Sequence, residues 1–209
     1  MGDPRRQKKK YVTPKRPFDS ERFEQELQLI GSYGLRNKRE LWRHKTELSR
    51  YRRTARNLLA IPENERRLQE SDLVNKLARI GVLREERHLD NVLDLTLEDV
   101  LERRLQTLVF RKGLACSMYH ARQLVTHGHI ALGDSRVTTP SRMLTVMEEE
   151  HLGYSAKSAL RDDSHPARIA ASDVARRVAA EPEDIEDTRE EREPLPGDNE
   201  DKDYEGDAE

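Results

Sequence analysis

The chain has 209 residues and a mass of 24.3 kDa, enough for one compact domain or for two small domains with tails. Hydrophobic residues make up 34% of it and charged residues 37%, so part of the chain must be solvated, disordered or laid against a partner. The net charge of −2 hides an asymmetry, because residues 1–60 hold 17 basic and 7 acidic side chains and residues 181–209 hold 3 basic and 15 acidic ones.

The basic first part of the chain favours a polyanionic partner, because neutralising phosphates releases condensed counterions. Several other classes are disfavoured. No apolar run approaches the ~20 residues of a membrane span, and the first ten residues lack the apolar stretch of a signal peptide. The single Cys116 excludes an internal disulfide and a multi-cysteine zinc site. We therefore expect a cytoplasmic protein with no membrane association.

Both ends of the chain differ in composition from the middle. Residues 1–18 mix prolines with positive charge and show no period, which predicts a basic extension that is disordered alone and orders on phosphate; a solubilising tail is the alternative. Residues 166–209 are expected to be weakly helical at first. From Glu181 they form an acidic tail too poor in apolar residues to fold. That tail is interpreted as a disordered solubilising segment, with a phosphate mimic or a protein-docking tail as alternatives.

Residues 19–95 are predicted to form a helical, RNA-binding domain. Phe23, Leu27 and Ile30 lie at i, i+4 and i+7, so a first helix is expected to stop at Gly31. Asn37, followed three residues later by a glutamate, predicts a capped second helix that ends at Pro62. Its apolar stripe would hold Leu41, Leu48, Tyr51, Ala55, Leu58 and Leu59. Residues 63–81 predict one or two further helices that serve as scaffold.

The other faces of the second helix are strongly positive. They hold Arg43, Lys45, Arg50, Arg52, Arg53 and Arg56, with few acidic residues to pair with them. Like charges along a helix repel, so this pattern is a poor way to stabilise the helix itself. Contact with phosphate is therefore favoured over a merely solvated face.

A second domain is predicted for residues 96–165. Thr96 and Asp99 are spaced as in a capping box, and one helix is predicted across LEDVLERRLQTLVFRKG, closed by a glycine. On a helical projection Arg103, Arg104 and Arg111 lie along one exposed edge of this helix. That placement predicts that Arg104→Glu weakens RNA binding without unfolding the protein.

A second short helix, MYHARQLVTH, is predicted to be capped by Ser117 and closed by Gly128. Its buried side would hold Met118, Ala121, Leu124 and Val125, and its outer side Tyr119, Arg122, Gln123 and Thr126. HIAL, SRVT and LTVM then predict three short antiparallel strands. The expected fold class is α+β, mainly α.

No motif in the chain predicts an enzyme, a cofactor or a metal. His127 closes a helix and His129 opens a strand, so these side chains and that of His120 need not converge on a metal, and no carboxylate nearby supplies a further ligand. Cys116 is expected to be packed among apolar residues. Phosphate-binding loops, dinucleotide fingerprints and nucleophile elbows are absent from the sequence.

A binding surface accounts better for residues 101–147, which hold 7 basic and 2 acidic side chains. Basic side chains supply charge, and Gln123, Tyr119 and the histidines add hydrogen bonds and stacking. The linker GLACS is longer than the turn of a DNA-binding helix-turn-helix, and the second helix is short. Recognition of RNA is therefore favoured over recognition of DNA.

The stretch LERRLQTLVFRKGLACSMYHARQLVTHGHIALGDSRVTTPSRM, which begins at Leu101, resembles the S4 RNA-binding domain. Its marks are the arginines of the first helix, the "S…ARQL" second helix and the "HGH" that precedes the strands. TPKRPF (Thr13 to Phe18) and YGLRNKRELWR (Tyr33 to Arg43) are similar to the archaeal and eukaryotic form of small-subunit ribosomal protein S4. The resemblance runs from about Thr13 to Tyr154. The zinc-binding cysteine cluster of many bacterial members has no counterpart here, so no metal is carried over.

This resemblance implies a primary binder of small-subunit ribosomal RNA (rRNA) that organises an rRNA junction during assembly. It also implies a place near other small-subunit proteins and near the channel through which messenger RNA (mRNA) enters, and a contribution to translational accuracy by a monomer within the ribosome. An S4-domain accessory or RNA-modifying protein and a DNA-binding regulator are the alternatives. The RNA-binding residues would be Arg43, Lys45, Arg50, Arg52, Arg53, Arg56, Arg103, Arg104, Arg111, Lys112, Ser117, Tyr119, His120, Arg122, Gln123, His127, His129 and Arg136.

Overall fold

A computed structural model describes residues 9–16, 18–83 and 88–180 of the chain. Its helices are α1 (Ser20–Ser32), α2 (Lys38–Leu59), α3 (Glu63–Ile80), α4 (Leu89–Asp94), α5 (Leu97–Glu102), α6 (Leu105–Arg111), α7 (Met118–Thr126), α8 (Val146–Glu150) and α9 (Pro166–Ala180). The strands are β1 (Ile130–Leu132), β2 (Ser135–Arg136) and β3 (Leu152–Tyr154). The predicted α+β, mainly α class is confirmed, whereas the predicted disorder of the acidic tail from Glu181 lies outside the described residues.

Three helices begin at the predicted side-chain caps. The Asn37 side chain accepts a hydrogen bond from the Glu40 amide at 3.3 Å at the start of α2. Thr96 and Asp99 form a reciprocal capping box at the start of α5, and Ser117 caps α7. Each cap satisfies a backbone N–H that has no partner within its own helix.

The prediction for the first helix is wrong in two respects. α1 continues through Gly31 to Ser32. Phe23 and Leu27 are 45% and 47% exposed, and the buried residue of α1 is Glu26. Glu26 can be buried because the Trp42 indole N–H and the Lys38 ammonium group approach its carboxylate at 3.0 and 3.1 Å. Leu59, predicted in the α2 stripe, is also exposed, because it is the last residue of that helix.

The single helix predicted after Thr96 is also wrong, because it is broken between α5 and α6. Arg104 adopts an extended conformation (φ −75°, ψ 143°) and forms an isolated antiparallel bridge with Met143. The Leu105 amide donates to the Arg142 carbonyl at 2.7 Å, and the Leu144 amide donates to the Arg103 carbonyl at 3.1 Å. Pairing with a segment distant in sequence thus replaces the helical hydrogen bonds at this point.

The segment that follows Met143, LTVM, does not form the third strand that was predicted for it. Thr145 and Glu148 form a capping box, so the chain turns into α8 after Leu144. The third strand is instead β3, Leu152–Tyr154. The sheet has the order β2-β1-β3, with antiparallel pairs throughout, and Ile130 lies opposite Tyr154.

The buried residues form two large clusters and a small one between them. The first joins α2 to α3, α4 and α5 through Tyr51, Leu77 and Val100, among others. The second joins α6 and α7 to the sheet. The small cluster contains Tyr33, Leu35, Leu41 and Leu101, so it connects the two larger ones where α1, α2 and α5 meet. Burial of this surface is the main favourable contribution to the fold.

The described part of the basic extension lies along α2. The Tyr11 ring is 6.1 Å from the Trp42 ring, and the Val12 amide donates to the Thr46 hydroxyl at 3.0 Å. Residues 9–16 therefore lie against α2, while residues 1–8 and 17 of the extension are outside the described residues, and its ordering on phosphate stays a prediction. At the other end, the predicted helix is present as α9, where Ala171 is fully buried. Among the described residues, no helix is both long and apolar enough to cross a membrane.

Candidate RNA-binding interface

The exposed faces of α2 carry positive charge without ion pairs. Arg43, Lys45, Arg50, Arg53 and Arg56 are exposed and have no ion-pair partner in the described part of the chain. With 3.6 residues per turn, they flank the buried stripe of the helix on both sides. A cationic helix face with no acidic partner among the described residues is suited to phosphate contact.

Arg36 and Arg39 extend this surface at the beginning of α2, although neither is named among the RNA-binding residues predicted from the sequence. Both are exposed and have no ion pair within residues 9–16, 18–83 and 88–180. Arg39 precedes Arg43 by one helical turn, which is the signal that would have found it. Lys10, Lys15 and Arg16 of the extension are also exposed. We call α2 and residues 9–16 together the α2 basic surface.

Arg104 does not lie on an exposed edge, so that prediction is wrong. Its side chain is 1% exposed and donates to the Glu40 carboxylate at 2.9 Å. Arg122, predicted to point outward, is also largely buried, because it donates to both oxygens of the same carboxylate and to the Gly34 carbonyl. Burial acts to raise the pKa of Glu40, but the hydrogen bonds and charges of Arg122 and Arg104 outweigh it and hold that pKa below its usual value.

Gln106 completes this junction and was also missed. It is buried, and its side-chain amide lies within hydrogen-bonding distance of the carbonyls of Tyr33, Gly34 and Met118 at 3.2, 3.0 and 3.0 Å. Its own carbonyl accepts from Arg122 at 3.2 Å. A polar residue in the apolar stripe of α6 was the available signal. Glu40, Arg104, Gln106 and Arg122, here called the Glu40 junction, thus join α2 to α6 and α7.

The rest of the predicted arginine edge is also engaged within the protein. The Arg103 guanidinium donates to the Ile80 carbonyl at 2.7 Å and to Glu149 at 2.8 Å. Arg111 donates two hydrogen bonds to the Glu102 carboxylate in a bidentate arrangement, at 2.8 and 3.2 Å. Lys112 donates to the backbone carbonyl of Glu149. Arg111 and Lys112 are nevertheless exposed, and exposed pairs contribute little stability. These two residues can exchange their partners for phosphate.

Apart from Arg122, helix α7 presents the predicted outer side. Tyr119 is 60% exposed and Gln123 is exposed, whereas the Ser117 hydroxyl is occupied as a cap. His120 is half-buried, and its Nδ1 accepts from the Cys116 amide at 3.2 Å. Burial lowers the pKa of His120. This favours the neutral ring, which fits its role as an acceptor.

His127, His129 and Arg136 are brought together at the start of the sheet. The two imidazole rings lie 6.5 Å apart and nearly parallel, and His129 shares a hydrogen bond of 2.9 Å with Ser158. Gly128 has a φ of +77°, and a Cβ there would lie 2.8 Å from the Arg136 side chain. These residues, Lys157 and Asp134 line a cavity of about 490 Å³ that offers two cations, one carboxylate and ring faces. In the described part of the chain, no three His, Cys, Asp or Glu side chains form a metal-binding group.

Two family models and several known proteins are similar to this chain. Residues 5–102 match the model of the ribosomal protein S4/S9 N-terminal domain, and residues 103–149 match that of the S4 domain. A protein of Ignicoccus hospitalis named small ribosomal subunit protein uS4 is 52% identical over 158 residues, which cover 76% of this chain and 95% of that protein.

Two further proteins carry the same name. The one from Saccharolobus solfataricus is 47% identical over 77% of this chain and 90% of its own length. The one from Methanoregula boonei is 48% identical over 80% of this chain and 94% of its own length. The chain belongs to the uS4 family.

The boundary between the two uS4 family models has a structural counterpart. The models meet between residues 102 and 103, where α5 ends, and the helical conformation is interrupted before α6 begins at Leu105. The Glu40 junction therefore connects the regions matched by the two models, because Glu40 belongs to the first and Arg104 and Arg122 belong to the second.

Proposed function

We propose that the chain is a non-catalytic structural constituent of the small ribosomal subunit and binds small-subunit rRNA directly as a monomer. The observation that carries this proposal is the α2 basic surface, whose exposed arginines and lysines have no ion-pair partners in the described residues, in a member of the uS4 family. A surface of this kind gains free energy when it neutralises phosphates and releases their counterions.

The interface is proposed to have two parts. The first is the α2 basic surface, and the second is formed by α7 and the cavity at the start of the sheet, where tyrosine, glutamine and histidine side chains are available to unpaired bases and sugar edges. Two contact regions joined through the Glu40 junction are proposed to hold two RNA segments in a fixed relative orientation. This supports the role of organising an rRNA junction during subunit assembly.

The predicted contact residues divide by exposure. The proposed direct contacts are Arg43, Lys45, Arg50, Arg53, Arg56, Arg111, Lys112, Tyr119, Gln123, His127, His129 and Arg136, together with Arg36 and Arg39. Arg52, Arg103, Arg104 and Arg122 are proposed to act by positioning, since their guanidinium groups donate to groups within the protein. The same role is proposed for Ser117, which caps α7, and for His120, which accepts from the Cys116 amide.

Finer parts of the proposal rest on the family resemblance. They are a location in the cytoplasm near the channel through which mRNA enters, contact with that mRNA and with neighbouring small-subunit proteins, and a contribution to translational accuracy. The proposed domains are the extension 1–18, the helical rRNA-binding unit 19–95 and the S4 RNA-binding domain 96–165, followed by residues 166–209. The curated relatives carry a ribosomal name, so an accessory protein outside the ribosome is not favoured.

Sedimentation and competition binding test the proposal. The native protein is expected to sediment with small ribosomal subunits and to bind transcribed small-subunit rRNA in preference to duplex DNA at physiological salt. Arg50→Gln is expected to weaken rRNA binding and to reduce the salt dependence by about one phosphate contact, without a change in the thermal unfolding midpoint. Efficient displacement of the rRNA by duplex DNA would contradict the proposal.

A further inference from the structure

The cations of the α2 basic surface repel one another in the free protein. Other arginines, such as Arg66 and Arg103, are paired with carboxylates of the fold. Like charges held close together raise the free energy of the folded protein, and an anionic segment of the same chain offsets that cost. The exposed side chains of this surface without an ion pair in the described part of the chain are Lys10, Lys15, Arg16, Arg36, Arg39, Arg43, Lys45, Arg50, Arg53 and Arg56.

The acidic tail, residues 181–209, carries charge of the opposite sign and similar amount. It holds 15 acidic and 3 basic side chains, a net charge of −12. Its large apolar side chains are Ile185, Leu195 and Tyr204, so charge is the main property that it offers to another surface. Both family models end before the tail, at residue 149 or earlier, so the family match assigns it no role.

The tail begins at a fixed place in the fold. It follows α9, which ends at Ala180 and packs through the fully buried Ala171. A Cβ at Gly113 would lie 2.7 Å from the Ala175 Cβ, so α9 lies against the end of α6. The 29 residues of the tail span up to roughly 95 Å when extended, whereas a compact fold of this size is about 40 Å across and α2 is about 33 Å long. The tail is therefore long enough to reach α2 and to follow it from end to end.

We propose that the acidic tail lies along the α2 basic surface in the free protein and is displaced when a polyanion binds there. Tethering makes this contact intramolecular, with an effective concentration of roughly 1 mM. If the carboxylates bind the surface as weakly as non-specific phosphates do, with a dissociation constant of about 0.1 mM, the tail lowers the affinity of a competitor roughly tenfold.

The contact makes the tail a mask for the basic surface. Every ligand that needs this surface loses affinity by the same factor, because each must first displace the tail. Weak, non-specific polyanions then no longer occupy the protein at working concentrations, whereas a ligand that binds tightly still does. The tail contact is a property of the free protein, so it does not depend on rRNA being the ligand.

The first experiment measures the contact in the full-length protein without RNA. A water-soluble carbodiimide joins carboxylates to lysine amines within ion-pair distance, and mass spectrometry identifies the linked pairs. After correction for the reactivity of each amine, we expect tail linkages to Lys10, Lys15 and Lys45 roughly fivefold more often than to Lys76 and Lys157, which are also exposed. The linkages should occur in the monomer and disappear at about 1 M salt. Equal yields at all of these lysines, or linkages confined to dimers, would refute the contact.

The second experiment measures competition by fluorescence anisotropy with a short single-stranded RNA of unrelated sequence. A tail-amide variant, in which the 15 tail carboxylates are changed by Asp→Asn and Glu→Gln, is expected to bind roughly tenfold more tightly than the wild type at about 0.1 M salt. The control is a scrambled tail of the same composition, which should bind like the wild type because the contact depends on charge. Wild-type affinity of the tail-amide variant, or tighter binding by the scrambled tail, would overturn the proposal.

Long-range repulsion of RNA by the tail is the alternative, and a double-mutant cycle separates it from contact. The tail-amide change is repeated in Arg50→Gln/Arg53→Gln, and in Arg79→Gln as the control, since Arg79 is an exposed cation of α3. Contact predicts that the gain in affinity falls to roughly threefold in the first background and stays at about tenfold in the second. An equal gain in both backgrounds would show repulsion alone and refute the proposal. Failure of the proposed function looks different, because then the wild type does not prefer rRNA to duplex DNA, whatever the linkages show.

Discussion

Replacing Glu40 by glutamine tests whether the Glu40 junction holds the two halves of the protein together. The change keeps the shape of the side chain and removes the negative charge that pairs with Arg104 and Arg122. Arg104 is the residue most affected, because its side chain is 1% exposed and one of its terminal nitrogens has no hydrogen-bond partner among the described residues. Without Glu40 its charge remains buried and uncompensated.

The expected loss in the free energy of unfolding follows from the burial of the Arg104 charge. Removing one partner of a buried pair costs about 3–5 kcal/mol, because it leaves a desolvated charge. Glu40 and Arg122 are 18% and 19% exposed, so water screens part of the effect. We therefore take the lower end, about 3 kcal/mol, for Glu40→Gln. For a chain of this size that corresponds to a fall in the unfolding midpoint of roughly 6–12 °C.

The assay is thermal and urea unfolding followed by circular dichroism. Glu63→Gln is the control, since Glu63 pairs with Arg67 on the exposed surface of α3, and we expect no measurable shift from it. A loss below about 1 kcal/mol for Glu40→Gln would refute the argument from a buried charge. Arg104→Glu would place a second carboxylate beside Glu40, so we now expect it to destabilise the fold, contrary to the effect predicted from sequence.

Three further predictions use other parts of the molecule. Burial, with the charges of Arg104 and Arg43, lowers the pKa of His44 from 6.5 to about 4. Between these two pH values His44 is therefore protonated in the unfolded chain but neutral in the folded protein. Stability therefore falls as the pH drops from about 6.5 towards 4, by about 2 kcal/mol at pH 5, and urea titrations should show this acid loss reduced in His44→Phe. Gly34 has a φ of +56°, and a Cβ there would lie 2.9 Å from the Met118 Cβ. Gly34→Ala should cost at least about 1–2 kcal/mol in unfolding experiments, whereas Gly31→Ala, with open space in α1, should be neutral or stabilising by up to about 1 kcal/mol. Tyr119→Ala should weaken binding of rRNA roughly tenfold with an unchanged melting curve if its exposed ring stacks on a base, and an unchanged affinity would remove Tyr119 from the interface.

The features that sequence predicted well depend on neighbours along the chain. The caps at Asn37, Thr96 and Ser117 each require a partner three residues away, and the buried side of α7 follows from its own periodicity. Such short-range patterns carry the same physical meaning in any fold. The family resemblance added the function, because its motifs identify a family without a knowledge of contacts.

The incorrect predictions concern contacts between residues that are distant in the sequence. Nothing near Arg104 in the sequence shows that its partner is Glu40, 64 residues earlier, or that Arg122 meets the same carboxylate from 82 residues away. The break between α5 and α6 likewise depends on pairing with Met143. Local periodicity predicted a continuous helix there, because the competing hydrogen bonds come from a distant segment.

The distribution of carboxylates explains how so basic a region folds and still presents charge outward. Glu40, Glu102 and Glu149 accept hydrogen bonds from arginines of the second half of the chain, so these cations contribute to the fold. The exposed cations of α2 have no such partners in the described residues and remain available. If Glu40 is replaced by glutamine, Arg104 and Arg122 lose the carboxylate that neutralises them next to the α2 basic surface. The affinity for any polyanion should then rise, and the fixed orientation of the two contact regions should be lost. The same substitution that destabilises the protein should therefore weaken its discrimination between rRNA and unrelated RNA.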